Sequence, residues 1–213
     1  MNNRVRELHA KPLDAEQSLR VHRAMTQLAT QLGEFVRQID AIQPSSCREL
    51  TLNEQLHFDA LTIKNLFLEE RRKPNDAVDS SLAGVRPFDH LLLGYRYEGN
   101  KTLTVERTLL PEIDRLERLL HSNRIGFDLD LARNERQQVT RGRFRIFSSI
   151  GAGIRVIPDA ARGRIRFTLQ NVDRFGIYEV IVEAGSINAP LIEELACCIL
   201  GFGDGFRRYS LRF

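Results

Sequence analysis

The chain reads as an α+β protein: a helical N-terminal region, then an antiparallel β-meander with a covering C-terminal helix and a final strand. Three observations predict this. Apolar residues recur at helical spacing from Val21 to Ile42. At Ile125 the period drops to two and stays there to residue 183. A helical stripe then returns from Leu191 to Leu200. Helices followed by a run of strands with short connections give an α+β arrangement with antiparallel pairing.

Taken in order, residues 1–13 are polar and are expected to form a mobile arm. Asp14 is placed to cap a helix that runs to Ile42 and stops before Pro44. Its apolar positions, Val21, Met25, Leu28, Leu32, Phe35, Ile39 and Ile42, step by four and three in alternation, a heptad seam. The flanking residues are mostly uncharged, which predicts an antiparallel helical bundle, with a seam open to a partner helix as the alternative. Thr51-Leu52-Asn53-Glu54 has the form of a capping box and predicts a second helix to Arg72, with Leu52, Leu56, Ile63, Leu66 and Phe67 on its buried stripe. Residues 84–108 fit both periods: 88–97 as a short helix, 103–108 as a strand or a helix lead-in. Pro111 opens another helix, carrying Ile113, Leu116, Leu119 and Leu120 and ending near Asn123.

The domain organisation expected is therefore a helical region over 14–124 and an α+β region over 125–213. The boundary is a change of period and not a linker, so the two regions are free to share one core. Strands are predicted near 125–132, 142–148, 153–158, 163–170 and 175–183, broken at Gly151-Ala152-Gly153, at Pro158-Asp159 with Gly163, and at Asn171-Val172-Asp173. Asn188 caps a helix with Pro190 in its first turn, and Gly201 and Gly203 end it. A last strand is predicted from Arg208 to Phe213.

Charge is unevenly spread. The chain has 213 residues and a net charge of only +3. Between Arg133 and Arg166, nine arginines face only Glu135 and Asp159, a local charge of +7, so the rest of the chain is −4. Four lysines leave 27 of the 31 basic residues as arginine. Alternation puts Arg143, Arg145, Arg155, Arg164 and Arg166 on one sheet face, joined by Arg208 and Arg212 from the last strand. Phe144, Ile146, Ile154, Val156, Ile165, Phe167 and Leu169 fall on the other. Guanidinium groups in this density suit carboxylate or phosphate partners. Asp128, Asp130, Glu179 and Glu183 alternate onto the same side, so ion pairs within the sheet or across a subunit interface are the leading expectation, with nucleic acid second.

Spacing argues against several chemistries. The five histidines form no i, i+4 pair, and no Cys-x-x-Cys or His-Glu-x-x-His occurs, so no metal or cofactor is expected. No nucleophile elbow is present. Asp159 with Glu179 and Glu183 lacks the lysine of an acidic nuclease core, since no lysine follows Lys101. The glycine clusters at 151–153 and 201–205 lack the strand–loop–helix order that cradles phosphate. Three cysteines make no disulfide framework, and no apolar run spans a bilayer, which together predict a soluble protein of the cytoplasm.

The reading is a non-enzymatic cytoplasmic interaction protein, a subunit or adaptor of a larger assembly or a homo-oligomer. Its partner surfaces would be the helix seam (Val21, Met25, Leu28, Leu32, Phe35, Ile39) and the arginine face. A nucleic-acid-binding protein using that face is the alternative.

Overall fold

One strand, β6 (Val139–Asp159), organises the molecule. The structure, a computed structural model, describes residues 15–42, 44, 48–74, 86–203 and 205–210. The order is α1 (Ala15–Ile42), β1 (Leu50–Asn53), β2 (Leu56–Phe58), β3 (Thr62–Arg72), β4 (Phe88–Arg107), α2 (Leu110–Ser122), β5 (Ile125–Arg133), β6, β7 (Arg164–Gln170), β8 (Ile177–Glu183) and α3 (Ala189–Leu200), with short 3-10 turns after β6, β8 and α3. The fold is α+β, with one N-terminal helix, a large antiparallel sheet and a C-terminal helix. The main sheet runs β3-β4-β6-β7-β8, and β5 pairs with β6 as a branch.

The branch is a fork. β4 pairs with β6 from Arg107↔Gly142 to Leu91↔Val156. On its other edge β6 pairs first with β5, from Arg133↔Val139 to Ile125↔Ile150, and then with β7, from Gly153↔Gln170 to Asp159↔Arg164. β5 and β7 thus lie end to end along one edge. Phe144, Ile146, Ser148, Ile150, Ala152, Ile154 and Val156 are all buried, so a single parity crosses the glycines. The expected break at 151–153 is corrected: these residues lie inside one continuous strand.

The core face is covered by three helices. α2 lies over β5, β6 and β4 at one end, with Ile113, Leu116 and Leu120 buried. Pro111 sits in its first turn and Asn123 is its C-cap, as expected. α1 packs on β3, β4 and β6, and touches α3. Asn188 accepts a hydrogen bond from the Leu191 amide at the α3 N-terminus, and Gly201 ends that helix at φ +88°. One apolar cluster runs from Val21 to Phe206. No helix among the described residues is long and apolar enough to cross a membrane.

The helical bundle is corrected to a single N-terminal helix. Residues 50–72 and 88–107 are strands, and bulges explain the misleading periods. Asn65, at φ +54°, sits at a register shift between Lys64 and Phe67, so the inward parity moves from Ile63 to Leu66 and Leu68. Steps of three and two imitate a helix. A second shift, between Arg71 and Arg72, puts Phe88 and Leu91 both inside, again a helical step. The supposed capping box is a hairpin turn: Asn53 Oδ1 accepts from the Gln55 and Leu56 amides at 3.0 Å each.

The start of the expected final strand is corrected too, and its residues 211–213 lie outside the described residues. Residues Gly205–Tyr209 form a 3-10 turn that buries Phe206 against Phe167, ring centroids 5.2 Å apart. Asp14, the expected cap of α1, and Arg212 lie outside the described residues.

Candidate interaction face

β-Strand alternation leaves the second face of the main sheet to polar residues, and the arginines gather there as expected. Arg143 and Arg145 of β6 stand opposite Asp130 and Asp128 of β5, and Arg143 also stands opposite Glu106 of β4. Arg145 Nη2 donates to Asp128 Oδ2 at 2.5 Å, and Arg143 Nε lies 3.7 Å from Glu106 Oε1. Arg164 Nε donates to Glu183 Oε1 at 3.1 Å, and Arg166 lies 3.8 Å from Glu179. These pairs are exposed or half-exposed, so each contributes about 0–1 kcal/mol. Their main effect is to neutralise the strip. Arg208 is not on the sheet: it sits in the C-terminal 3-10 turn and pairs with Glu194 of α3 at 2.9 Å.

Arg155 differs from the others. It makes no ion pair among the described residues; its Nη2 lies 3.4 Å from His90 Nδ1. That nitrogen is also 2.7 Å from Asp89 Oδ2, and it supports one strong bond at a time. Asp89 makes the shorter contact, and the Arg155 guanidinium stands beside the ring.

Arg155 belongs to a concavity of about 950 Å³ at the fork. Its floor is made by glycines of three strands, Gly94, Gly126, Gly151 and Gly153. Phe67, Gly94, Gly153, Gln170 and Ile177 stand in one registered row across five strands. The next row toward the fork is Lys64, Arg96 and Gly151, and the next away from it is Glu69, Leu92, Arg155, Thr168 and Glu179, the last carboxylate lying 3.8 Å from Arg166. The Phe67 ring lies on Gly94, where an added Cβ would meet it at 2.4 Å. Gly153 approaches the Leu93 carbonyl so closely that a Cβ there would sit 2.8 Å from it.

The basin is electropositive. Arg71, Arg96, Arg124 and Arg155 line it, and Glu69 is the one carboxylate residue of the described lining. Glu69 faces Arg71 at 3.9 Å. Arg96 donates to Ser149 Oγ, and Arg124 is held at φ +53° in the turn between α2 and β5. Neither makes an ion pair among the described residues. Phe67 (49% exposed) and Ile177 (65% exposed) add apolar walls. Sequence reasoning missed this basin because Phe67 and Arg71 were assigned to a helix and Gly151 and Gly153 to a turn. Register across strands is the signal that gathers them.

The helix seam points inward. Val21, Met25, Leu28, Leu32 and Ile39 are buried and Phe35 is half-buried, all against this chain's own core. The expectation that the seam serves a partner helix is therefore corrected: the sheet occupies it.

A second polar cluster is buried beneath α3. Tyr97 Oη lies 2.9 Å from both the Ile199 and the Val172 carbonyl oxygens, either of which can accept its single proton, and Tyr95 Oη lies 3.3 Å from it. Arg48 donates to the Cys198 and Gly203 carbonyls at the α3 C-terminus, where its charge suits the dipole. Arg207 pairs with the buried Asp173 carboxylate. Burial, with the Asp173 charge added, pushes the Cys198 thiol up to about 11, so it is protonated and inert at neutral pH. Burial likewise raises Tyr97 to about 12 and raises Tyr95. Cys197 is exposed. Among the described residues, no group of three or more His, Cys, Asp or Glu is placed to hold a metal.

No family model matches the chain, and neither a curated protein nor a solved structure matches it.

Proposed function

We propose that the chain is a non-enzymatic interaction module whose open sheet face docks an acidic partner protein. One observation carries this reading: four guanidiniums surround the glycine-floored basin, and a single carboxylate residue of the described lining opposes them. The arginine strip along β6 and β7 contributes orientation more than affinity, because Arg143, Arg145, Arg164 and Arg166 already have carboxylates beside them. Phe67 and Ile177 supply apolar contact of the kind that protein interfaces bury. The cytoplasm is the compartment that suits adjacent free thiols at Cys197 and Cys198. A nucleic-acid partner is the second reading, favoured by Phe67 as an exposed aromatic on the arginine side.

The test compares wild-type protein with an Arg96→Gln/Arg124→Asn variant in affinity isolation, beside a salt series against mixed DNA and RNA. The expected result is a protein partner lost by the variant and no steeply salt-dependent oligonucleotide binding. Oligonucleotide binding that falls steeply with salt and weakens in the variant would move the function to nucleic acid.

A further inference from the structure

We infer that the basin recognises an extended acidic segment bearing one aromatic side chain, in the order acidic–x–aromatic–x–acidic. This rests on the interaction reading above and names what the site selects.

The inference follows from register. Gly151, Gly153 and Arg155 alternate along β6 on the open face, so successive rows are about 6.7 Å apart. The row with Arg96, Gly151 and the neighbouring Arg124 is thus about 13 Å from the row with Arg155. The Gly153 row, without a side chain at Gly94 or Gly153, lies midway. An extended peptide has the same repeat: its side chains at i, i+2 and i+4 leave one side at about the same spacing. Laid along β6, it brings a carboxylate at i to Arg96 and Arg124 and a carboxylate at i+4 to Arg155. The side chain at i+2 falls on Gly153.

The chemistry of that middle position is aromatic. The floor has no side chains, so only a flat group makes full contact with exposed peptide planes. Phe67 already shows the fit, since its ring lies directly on Gly94, the registered neighbour of Gly153. A second ring on Gly153 would sit beside Phe67, with Gln170 and Ile177 on its far side. Guanidiniums at both ends reject a basic segment. A phosphate backbone would have to place charge against Phe67 and Ile177, which the apolar walls disfavour.

The experiment uses the isotope-labelled full chain and unlabelled, end-capped peptides, observed through amide chemical shifts. Glu-Ser-Phe-Ser-Glu is expected to shift the amides of Gly94, Gly126, Gly151 and Gly153 in a saturable way. Replacing the peptide's Phe by Ala, or both Glu by Lys, should weaken binding at least about tenfold, the loss expected for one ring contact or one charge-assisted pair. Moving the two Glu next to the Phe should do the same, because the spacing is then wrong. The Arg96→Gln/Arg124→Asn protein, checked for an unchanged spectrum elsewhere, should also bind at least about tenfold more weakly. Equal binding of the Ala or Lys peptides, or undiminished binding by the variant, overturns the inference. No shift at millimolar peptide overturns it as well. In that case a protein partner still lost by the variant in affinity isolation leaves the interaction reading standing, and a partner retained removes both.

Discussion

Asn171 reaches across the fork to Gly151: its side-chain amide nitrogen lies 2.8 Å from the Gly151 carbonyl oxygen. The same nitrogen donates its other hydrogen to the Asn123 carbonyl at 2.7 Å, and Asn171 Oδ1 accepts from the Gly176 amide at 3.0 Å. One fully buried side chain thus joins the turn after α2, the middle of β6 and the turn after β7. It fills the gap left where β5 ends and β7 begins, where ladder hydrogen bonds stop. Its own backbone is left-handed, φ +53°, a conformation Asn tolerates better than most residues.

Asn171→Ala should therefore be costly. It leaves the Asn123 and Gly151 carbonyls with one partner fewer and puts a Cβ-bearing residue without a side-chain oxygen at positive φ. The expected loss is about 2–4 kcal/mol, or a melting temperature lower by roughly 5–15 °C for a chain of this size. Asn171→Gly relieves the backbone and should recover only a minority of it. Calorimetry on both variants checks this: equal stability of wild type and Asn171→Ala would mean the clasp carries no weight.

The floor glycines should separate into two kinds. At Gly153 a methyl group would sit 2.8 Å from the Leu93 carbonyl, so β4 and β6 must part. Gly153→Ala is expected to destabilise by about 1–3 kcal/mol. At Gly126 the nearest atom to an added Cβ is 3.6 Å away, an ordinary contact. Gly126→Ala should stay within about 0.5 kcal/mol of wild type. Urea midpoints decide it; a Gly153→Ala protein as stable as Gly126→Ala would show the strands are free to adjust.

Alkaline pH should unfold the protein through the cluster under α3. Burial raises Cys198 from 9.0 to about 11 and Tyr97 from 10.0 to about 12. In each case the unfolded chain loses its proton first. Stability is therefore full below about pH 9 and falls as pH rises through 9–11 for the thiol and 10–12 for the phenol. Urea midpoints between pH 8 and pH 11 should decline, and Cys198→Ala should flatten the 9–11 part of that decline. An unchanged slope in the variant would place the loss elsewhere.

Legibility in the sequence varied with how regular each ladder is. β7, β8, α2 and α3 were readable because nothing interrupts their period, and β5 because its two register shifts fall at its ends; Asn188, Pro190 and Gly201 mark α3 unambiguously. β3 and β4 were not, because bulges at Asn65 and beside Phe88 turn a period of two into steps of three and two. Glycine misled in the opposite way. Gly151 and Gly153 signal a turn locally, yet the buried parity of Ile150, Ala152 and Ile154 runs straight through them. The arginine face was visible from alternation, and so were its carboxylates. The basin was not, because Phe67, Gly94 and Gly153 are 27 or more residues apart in sequence and meet only through register.

The position of β6 also sets the order of assembly. It is the shared partner of β4, β5 and β7, and it spans Val139–Asp159. Until those residues are available, β4 has only β3 to pair with, and the apolar sides of α1 and α2 have no finished sheet to cover. The rate-limiting event should be closure of the β4–β6 ladder, whose pairs join residues from 35 to 65 positions apart. Pairing over such distances is slow relative to helix formation. The folding rate of this chain is thus governed by its centre, and substitutions at Leu93, Ile146 or Ile154 should slow refolding more than equally destabilising ones in α3.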